Sequence, residues 1–167
     1  MPVADDSPVG TFYRVSAADL QPGDEDAGNW GPSLAVPCHD PGCLEPGYDG
    51  DTVQAYWFES VLEPVRAREF PHLPSRLDGV FVFESLDVAR LFADSRGWHV
   101  YLVRGDVGAP HFRGDMGCLA WPNVGTFGEM DAIARGYWRG DPCGGPVEWL
   151  LTRPVVVVRT VARPAAR

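Results

Sequence analysis

The sequence predicts an α+β domain in which strands dominate and helices are inserted between them. Three observations lead to this fold class. Strand-like segments outnumber helical ones, the two kinds do not alternate regularly, and the 19 glycines and 16 prolines favour loops and sharp corners over a helical bundle. A length of 167 residues is typical of one domain. We therefore expect a single domain over residues 1–167, with its core at about 11–161 and flexible tails at both ends.

The first third of the chain predicts a strand, a long loop and a helix. Residues 11–16 indicate a short strand, and residues 21–51 indicate a long loop that covers another part of the protein. Thr52 is placed to cap a helix. Its apolar stripe consists of Val53, Trp57, Val61, Leu62 and Val65. Pro64 should kink or interrupt this helix near its end, and residues 70–76 (FPHLPSR) should not be regular helix.

The middle of the chain predicts a strand, a helix and a second strand. Residues 79–84 (GVFVFE) are β-branched and aromatic, and residues 98–104 (WHVYLVR) alternate, so both segments favour strands. Between them, Ser85 is a helix N-cap and Gly97 a stop signal. We expect the intervening helix to place its larger apolar residues on one face, namely Val88, Leu91 and Phe92.

The last third predicts one more helix and two strands. A Gly-rich stretch precedes an amphipathic segment at 127–138, and a turn-rich loop at 140–145 follows it. Residues 147–151 and 154–161 then indicate strands. The valine run at 155–158 is typical of a strand buried on both faces.

Composition narrows the class of partner. The net charge of −9 disfavours duplex nucleic acid, although a local arginine cluster can still bind a phosphate-bearing ligand. The basic side chains other than histidine are all arginine, which excludes lysine Schiff-base and P-loop chemistry. The chain has no apolar run of membrane-spanning length and no signal-peptide pattern at its start. We therefore expect a cytoplasmic protein without a membrane partner, and a secreted effector stays an alternative.

Four cysteines leave two interpretations open. In the cytosol, Cys38, Cys43, Cys118 and Cys143 are expected to be mostly free thiols. A zinc-stabilised structural domain is the alternative, because His39 stands beside Cys38 in the long loop. The paired Cys-x-x-Cys spacing of common zinc sites is missing, so we expect no metal.

Three separated segments resemble the ADP-ribosyltransferase superfamily. They are residues 12–16 (FYRVS), residues 79–85 (GVFVFES) with the following helix that contains Ala89 and Phe92, and residues 148–158 (EWLLTRPVVVV). The resemblance implies a split pair of small antiparallel or mixed sheets with inserted helices, and NAD entering a cleft between the sheets. Residues 70–76 and 137–140 are similar to segments of small uncharacterised bacterial members, and we expect them to frame the pocket.

The resemblance implies a role for one carboxylate and for its surroundings. Glu148 would be the catalytic residue, because breaking the nicotinamide–ribose bond develops oxocarbenium character that a fixed carboxylate stabilises. Arg14 would hold the pyrophosphate or a ribose hydroxyl. Phe81, with Tyr13 nearby, would form an aromatic wall for nicotinamide, and backbone groups of Val15 would hold the carboxamide.

Three further residues complete the candidate NAD site. Proline rigidity would preset Ser75 and Arg76, and Arg76 is a second phosphate-binding candidate. Ser85, at the end of the second resembling segment, is the third. The implied activity is transfer of ADP-ribose from NAD to an acceptor that the sequence does not identify.

The chain departs from the superfamily pattern in two ways. Arg14 together with Phe81 mixes the patterns of two subfamilies. Pro146 stands where arginine-modifying transferases carry a second acidic residue, which argues against an arginine acceptor. Hydrolysis of NAD, and a binding module without catalysis, therefore stay open. In the plainer interpretation, Glu148 is a solvated residue at a strand start, Arg14 forms a surface salt bridge, and Phe81 belongs to the core.

Overall fold

A computed structural model describes residues 8–28, 30–31, 50–119 and 126–163. In that part of the chain there are seven strands and three α-helices. The strands are β1 (Val9–Ser16), β2 (Glu25–Asp26), β3 (Val80–Val82), β4 (His99–Asp106), β5 (His111–Asp115), β6 (Val147–Leu151) and β7 (Val155–Ala162). The helices are α1 (Gly50–Glu69), α2 (Leu86–Arg96) and α3 (Phe127–Arg139), and a 3-10 turn spans Met116–Leu119. The predicted tails, most of the predicted long loop, and Cys38, His39 and Cys43 lie outside the described residues.

The strands form two antiparallel sheets, which confirms the α+β class. Sheet A has the order β1-β4-β7-β2, and sheet B has the order β3-β6-β5. An isolated bridge joins the two sheets, since Tyr13 and Phe83 exchange backbone hydrogen bonds of 2.8 Å in both directions. The first and third strands of the chain are therefore neighbours although nearly seventy residues separate them.

Apolar side chains fill three layers. The layer between the two sheets contains Phe12, Val82 and Val157. A second layer lies between sheet B and helices α1 and α3, and it includes Leu62, Trp138 and Leu150. The third layer packs α2 onto β1 and β4. Because strand residues alternate in direction, Val80 and Val82 face sheet A while Phe81 faces the helices.

Two helices begin and end where local signals predict. Ser85 caps α2 by accepting a hydrogen bond from the Val88 amide, and Gly97 ends the helix in the left-handed conformation with φ 65°. Thr126 and Glu129 form a reciprocal capping box at the start of α3. Gly140 closes α3 with φ 74°, which is a conformation that favours glycine.

Helix α1 corrects two predictions. It begins at Gly50, before Thr52, so Thr52 is not its N-cap. Pro64 does not interrupt it, because the helix continues to Glu69. Proline removes one backbone hydrogen bond, but the adjacent Leu62 and Val65 are almost fully buried and hold the helix against sheet B.

Burial corrects two further predictions. The valine run of β7 is not buried on both faces, because Val158 is exposed on the outer face of sheet A while Val155 and Val157 are buried. In α2 the buried residues are the small Ala89 and Ala93, and Leu91 points to solvent. Two strands were not predicted: β2 lies inside the predicted loop, and β5 lies in the Gly-rich stretch.

Across the described residues, we find no helix that combines the length and the apolar character required to cross a bilayer.

Candidate functional site

Four buried polar side chains meet between sheet B and the helices that cover it. Glu59 of α1, Arg76 of the connection before β3, Tyr137 of α3 and Glu148 of β6 form what we call the Arg76 cluster. Their exposed fractions lie between 0 and 7 %. Buried charges are rare unless they are paired, so this cluster marks a special position in the core.

The Arg76 guanidinium is the hub of the cluster. Its Nε donates to Glu59 Oε1 at 2.8 Å, and its Nη1 donates to the Tyr137 hydroxyl at 2.5 Å and to Glu148 Oε1. The Tyr137 hydroxyl in turn donates to Glu148 Oε1 at 2.6 Å. The guanidinium carbon also lies 4.7 Å from the centre of the Phe81 ring, within the range of a cation–π contact.

Electrostatics fix the protonation of two members. Burial alone would lower the pKa of Arg76, but the nearby Glu148 and Glu59 carboxylates outweigh burial and raise it well above its usual value. Burial and the Glu148 carboxylate raise the pKa of Tyr137 well above its usual value, although Arg76 opposes them. Arg76 is therefore a permanent cation, and Tyr137 is a neutral phenol that can donate its proton in a hydrogen bond.

Glu148 lies at the start of a buried strand as predicted, but it does not face the space between the sheets. It has the same orientation as Leu150, which packs against α1 and α3. The exposed fraction of Glu148 is 2 %, so the interpretation of it as a solvated strand-start residue is wrong. The register of β6 and its pairing with β3 and β5 decide which face the carboxylate takes.

Arg14 approaches the same region from sheet A. Its Nη1 donates to the Phe81 carbonyl at 3.2 Å, and its Nε donates to Asp26 Oδ2 at 2.7 Å. The side chains of this ion pair are only 11 % and 13 % exposed, so Arg14 is not in a surface salt bridge. The contacts Arg14–Phe81–Arg76–Glu148 thus connect the three segments that carry the superfamily resemblance.

The other predicted site residues have structural contacts. Tyr13 bonds β3 through its backbone, and Val15 is buried against α2. Ser75 donates to Glu63 and accepts from the Leu77 amide. Ser85 is the N-cap of α2. The structure therefore brings together Phe81, Arg76 and Glu148 and links Arg14 to them through the Phe81 carbonyl. Tyr13, Val15, Ser75 and Ser85 have roles in the fold around them.

Two residues of the site were not predicted. Glu59 completes the Arg76 cluster, and Trp30 donates its indole N–H to Glu59 Oε1 at 2.9 Å while its ring meets Phe81 edge-on at 6.3 Å. A signal for Glu59 exists in the sequence. It shares the three-residue spacing of the buried Leu62 and Val65, so it lies on the apolar stripe of α1, where a carboxylate requires a buried partner. Trp30 carries no comparable signal.

The loop between α3 and β6 is fastened at several points. Asp115 accepts hydrogen bonds of 2.7 to 2.9 Å from the backbone N–H groups of Gly117, Cys143, Gly144 and Gly145. Burial would raise the pKa of Asp115, but these four amides outweigh it and lower the pKa. A further hydrogen bond joins Met116 N to Pro146 O at 2.8 Å. These bonds fasten the loop that connects Tyr137 to Glu148.

A disulfide bond joins Cys143 of this loop to Cys118 of the 3-10 turn. The prediction of free thiols is therefore wrong for this pair. The spacing of four cysteines allows three pairings, so the sequence alone could not identify this bond. The two sulfurs are not available to a metal, and no group of potential metal ligands occurs among the described residues.

Fold and site together define an α+β domain of two antiparallel sheets with a buried Arg–Glu–Tyr cluster beneath its helices. The chain belongs to the family described as "Protein of unknown function (DUF2441)", whose model matches residues 48–163. That span contains every member of the Arg76 cluster, whereas Arg14 and Trp30 precede it. No curated protein matches the chain.

Proposed function

We propose that this protein is an NAD-cleaving ADP-ribosyltransferase in which Glu148 promotes loss of nicotinamide. One observation carries the proposal. Arg14, Phe81 and Glu148 come from three distant segments that resemble the superfamily, and they are connected through 3.2 Å and 4.7 Å contacts and the Arg76–Glu148 ion pair.

The chemistry assigns a task to each of these groups. The Glu148 carboxylate would stabilise positive charge on the ribose as its bond to nicotinamide breaks, and it could orient a ribose hydroxyl. Arg14 lies at the edge of β3 and would hold a phosphate or a ribose hydroxyl. Phe81 would provide one apolar wall.

The closed arrangement of Arg76 requires one movement before catalysis. Its guanidinium is bound to Glu148, and the carboxylate is 2 % exposed. If Arg76 turned from Glu148 to the diphosphate of NAD, the same movement would free the carboxylate and neutralise the phosphates. The sequence predicts that Arg76 binds phosphate. Arg76 could do so after this movement but not in the present structure, where its guanidinium is bound to Glu148.

Two alternatives use the same site. Water as acceptor would make the protein an NAD glycohydrolase. A binding module without catalysis is favoured by a specific observation, namely that Arg76 and Tyr137 both bind Glu148 through Oε1. Such a module would bind NAD or ADP-ribose without releasing nicotinamide.

The test is release of nicotinamide from NAD by the purified full chain. Glu148→Gln keeps the size of the side chain and should lower the rate by a factor of about 100 or more, as expected when a group that stabilises the transition state is lost. Glu84→Gln is the matched control, because Glu84 is exposed and only its 3.8 Å ion pair with Arg113 is affected. Thermal unfolding of both variants shows that each is folded. Equal rates for Glu148→Gln and the wild type, or no release above the buffer rate, would refute the enzyme proposal.

A further inference from the structure

The surroundings of Arg76 have the chemistry of a guanidinium-recognition site. Carboxylates lie at its Nε and Nη1, a phenol accepts from Nη1, and the Phe81 and Tyr137 rings lie 4.7 and 5.2 Å from its carbon. Planar cations with several N–H donors are recognised by this combination of in-plane acceptors and aromatic faces. A compact ammonium ion would not match both the in-plane acceptors and the aromatic faces.

Arg76 does not satisfy this site completely. It meets each carboxylate through Oε1, where Glu59 also receives the Trp30 N–H and Glu148 also receives the Tyr137 hydroxyl. Glu59 Oε2 is buried and has no hydrogen-bond partner. Two carboxylates therefore share one cation, while nearby Arg14 is paired with Asp26. A guanidinium that approached Glu59 with two parallel N–H groups would reach the unused oxygen.

We propose that Glu59, Tyr137, Glu148 and Phe81 form a binding site for the guanidinium group of an arginine side chain, which Arg76 fills in the present structure. The binding part of this proposal is independent of catalysis. The acceptor part rests on the proposed function: the bound arginine would receive ADP-ribose. Arginine-modifying transferases carry a second acidic residue where this chain has Pro146. In this proposal Glu59 supplies that second carboxylate from helix α1.

The transfer step is balanced with NAD as the donor. A guanidinium nitrogen of the acceptor forms a bond to the anomeric carbon of the ribose as the bond to nicotinamide breaks. The electron pair of that bond leaves with nicotinamide, and one proton of the acceptor passes to solvent. No oxidant or further reactant is required.

Binding is tested on an Arg76→Ala variant with methylguanidinium as the probe. The wild type is a poor test, because its own Arg76 competes at the high effective concentration of a tethered group. Methylguanidinium should raise the unfolding temperature of Arg76→Ala more than equal concentrations of methylammonium or methylurea. Arg135→Ala is the matched control, since it vacates an exposed pair with Glu69 and should show no such preference.

A second substitution locates the effect. Adding Glu59→Gln to Arg76→Ala should weaken methylguanidinium binding on the order of tenfold, as expected when one charge-assisted hydrogen bond is lost. If Arg76→Ala does not fold alone, recovery of the folded state by methylguanidinium and not by methylammonium is the supporting result, and Arg76→Gln provides the same comparison with the stem retained. Absence of any guanidinium preference in these variants overturns the site.

The acceptor assignment is read separately, by mass spectrometry of N-acetyl-arginine amide incubated with Arg76→Ala and NAD. An ADP-ribosyl adduct supports the assignment. Release of nicotinamide without an adduct overturns it and identifies water as the acceptor. Guanidinium binding by Arg76→Ala, together with no release of nicotinamide by the wild type, overturns the proposed enzyme function and leaves the binding site standing.

Discussion

Replacing Cys143 with serine should lower the stability of the protein by an amount that follows from loop closure. The disulfide to Cys118 joins residues 25 positions apart, and a cross-link of that span restricts the unfolded chain by about 3.5 kcal/mol at 25 °C. Cys143 is the better member to change, because it is exposed, whereas Cys118 is 8 % exposed in the core. The substitution therefore removes the cross-link with little loss of packing.

The folded loop itself should change little in the Cys143→Ser variant. Asp115 keeps its hydrogen bonds to the backbone of residues 143–145, and Met116 N keeps its bond to Pro146 O. The free sulfur of Cys118 also lies 3.3 Å from Asp141 O and can donate to it. The cost thus arises mainly in the unfolded state, and for a domain of this length it corresponds to a fall in unfolding temperature of about 7–14 °C.

Thermal unfolding followed by circular dichroism, with and without a reducing agent, measures this cost. Reduced wild type and Cys143→Ser should unfold at the same temperature, and the reductant should not affect the variant. The double variant Cys38→Ser/Cys43→Ser is the control, and it should respond to reductant as the wild type does. A shift below about 2 °C would show that this bond does not constrain the unfolded chain.

Three further predictions concern single contacts. Tyr137→Phe should lower the free energy of unfolding by about 1.5–3 kcal/mol in urea titration, because its hydroxyl bonds both charged neighbours in the Arg76 cluster. Gly145→Ala should lower the free energy of unfolding by about 1–3 kcal/mol, because the new Cβ would lie 2.2 Å from a backbone nitrogen. Its control is Gly128→Ala in α3, where the new Cβ would meet nothing closer than 4.0 Å. In the same titration this control should be neutral or stabilising by up to about 1 kcal/mol. Asp115→Asn should destabilise the protein most at pH 7 and progressively less as the pH falls below the ordinary carboxyl range, because a carboxyl with a lowered pKa stabilises the fold when it is ionised and loses that stabilisation as the pH falls through its folded pKa. Urea midpoints over a series of acidic pH values give the comparison.

Local signals predicted the elements whose ends are decided locally. The caps Ser85 and Gly97 located α2, and the amphipathic pattern located α3. Strand β5 was missed because HFRGD has charges and a glycine, and it becomes a strand only through its pairing with β6. The exposure of Val158 depends on which face of sheet A the other sheet covers, which is a long-range property.

The candidate site divides in the same way. Glu148 was identified from its own strand pattern, but its orientation toward the helices depends on the register with β3 and β5. The sequence predicted Arg76 as a cation of the site but did not predict which side chains it binds. The missing information was the docking of α1 and α3 on sheet B, which brings Glu59 and Tyr137 to Arg76 from 17 and 61 positions away.

The composition of the Arg76 cluster distinguishes a binding role from a purely structural one. Apolar side chains of similar volume often stabilise a core as well as a buried ion network does, so stability alone gives little reason for four polar groups. A network that serves only the fold also tends to satisfy each acceptor, whereas Glu59 Oε2 has no partner here. Methylguanidinium would restore stability to Arg76→Ala in either role, because the vacated space keeps both carboxylates, so an ADP-ribosyl adduct on N-acetyl-arginine amide is the result that a purely structural cluster does not give.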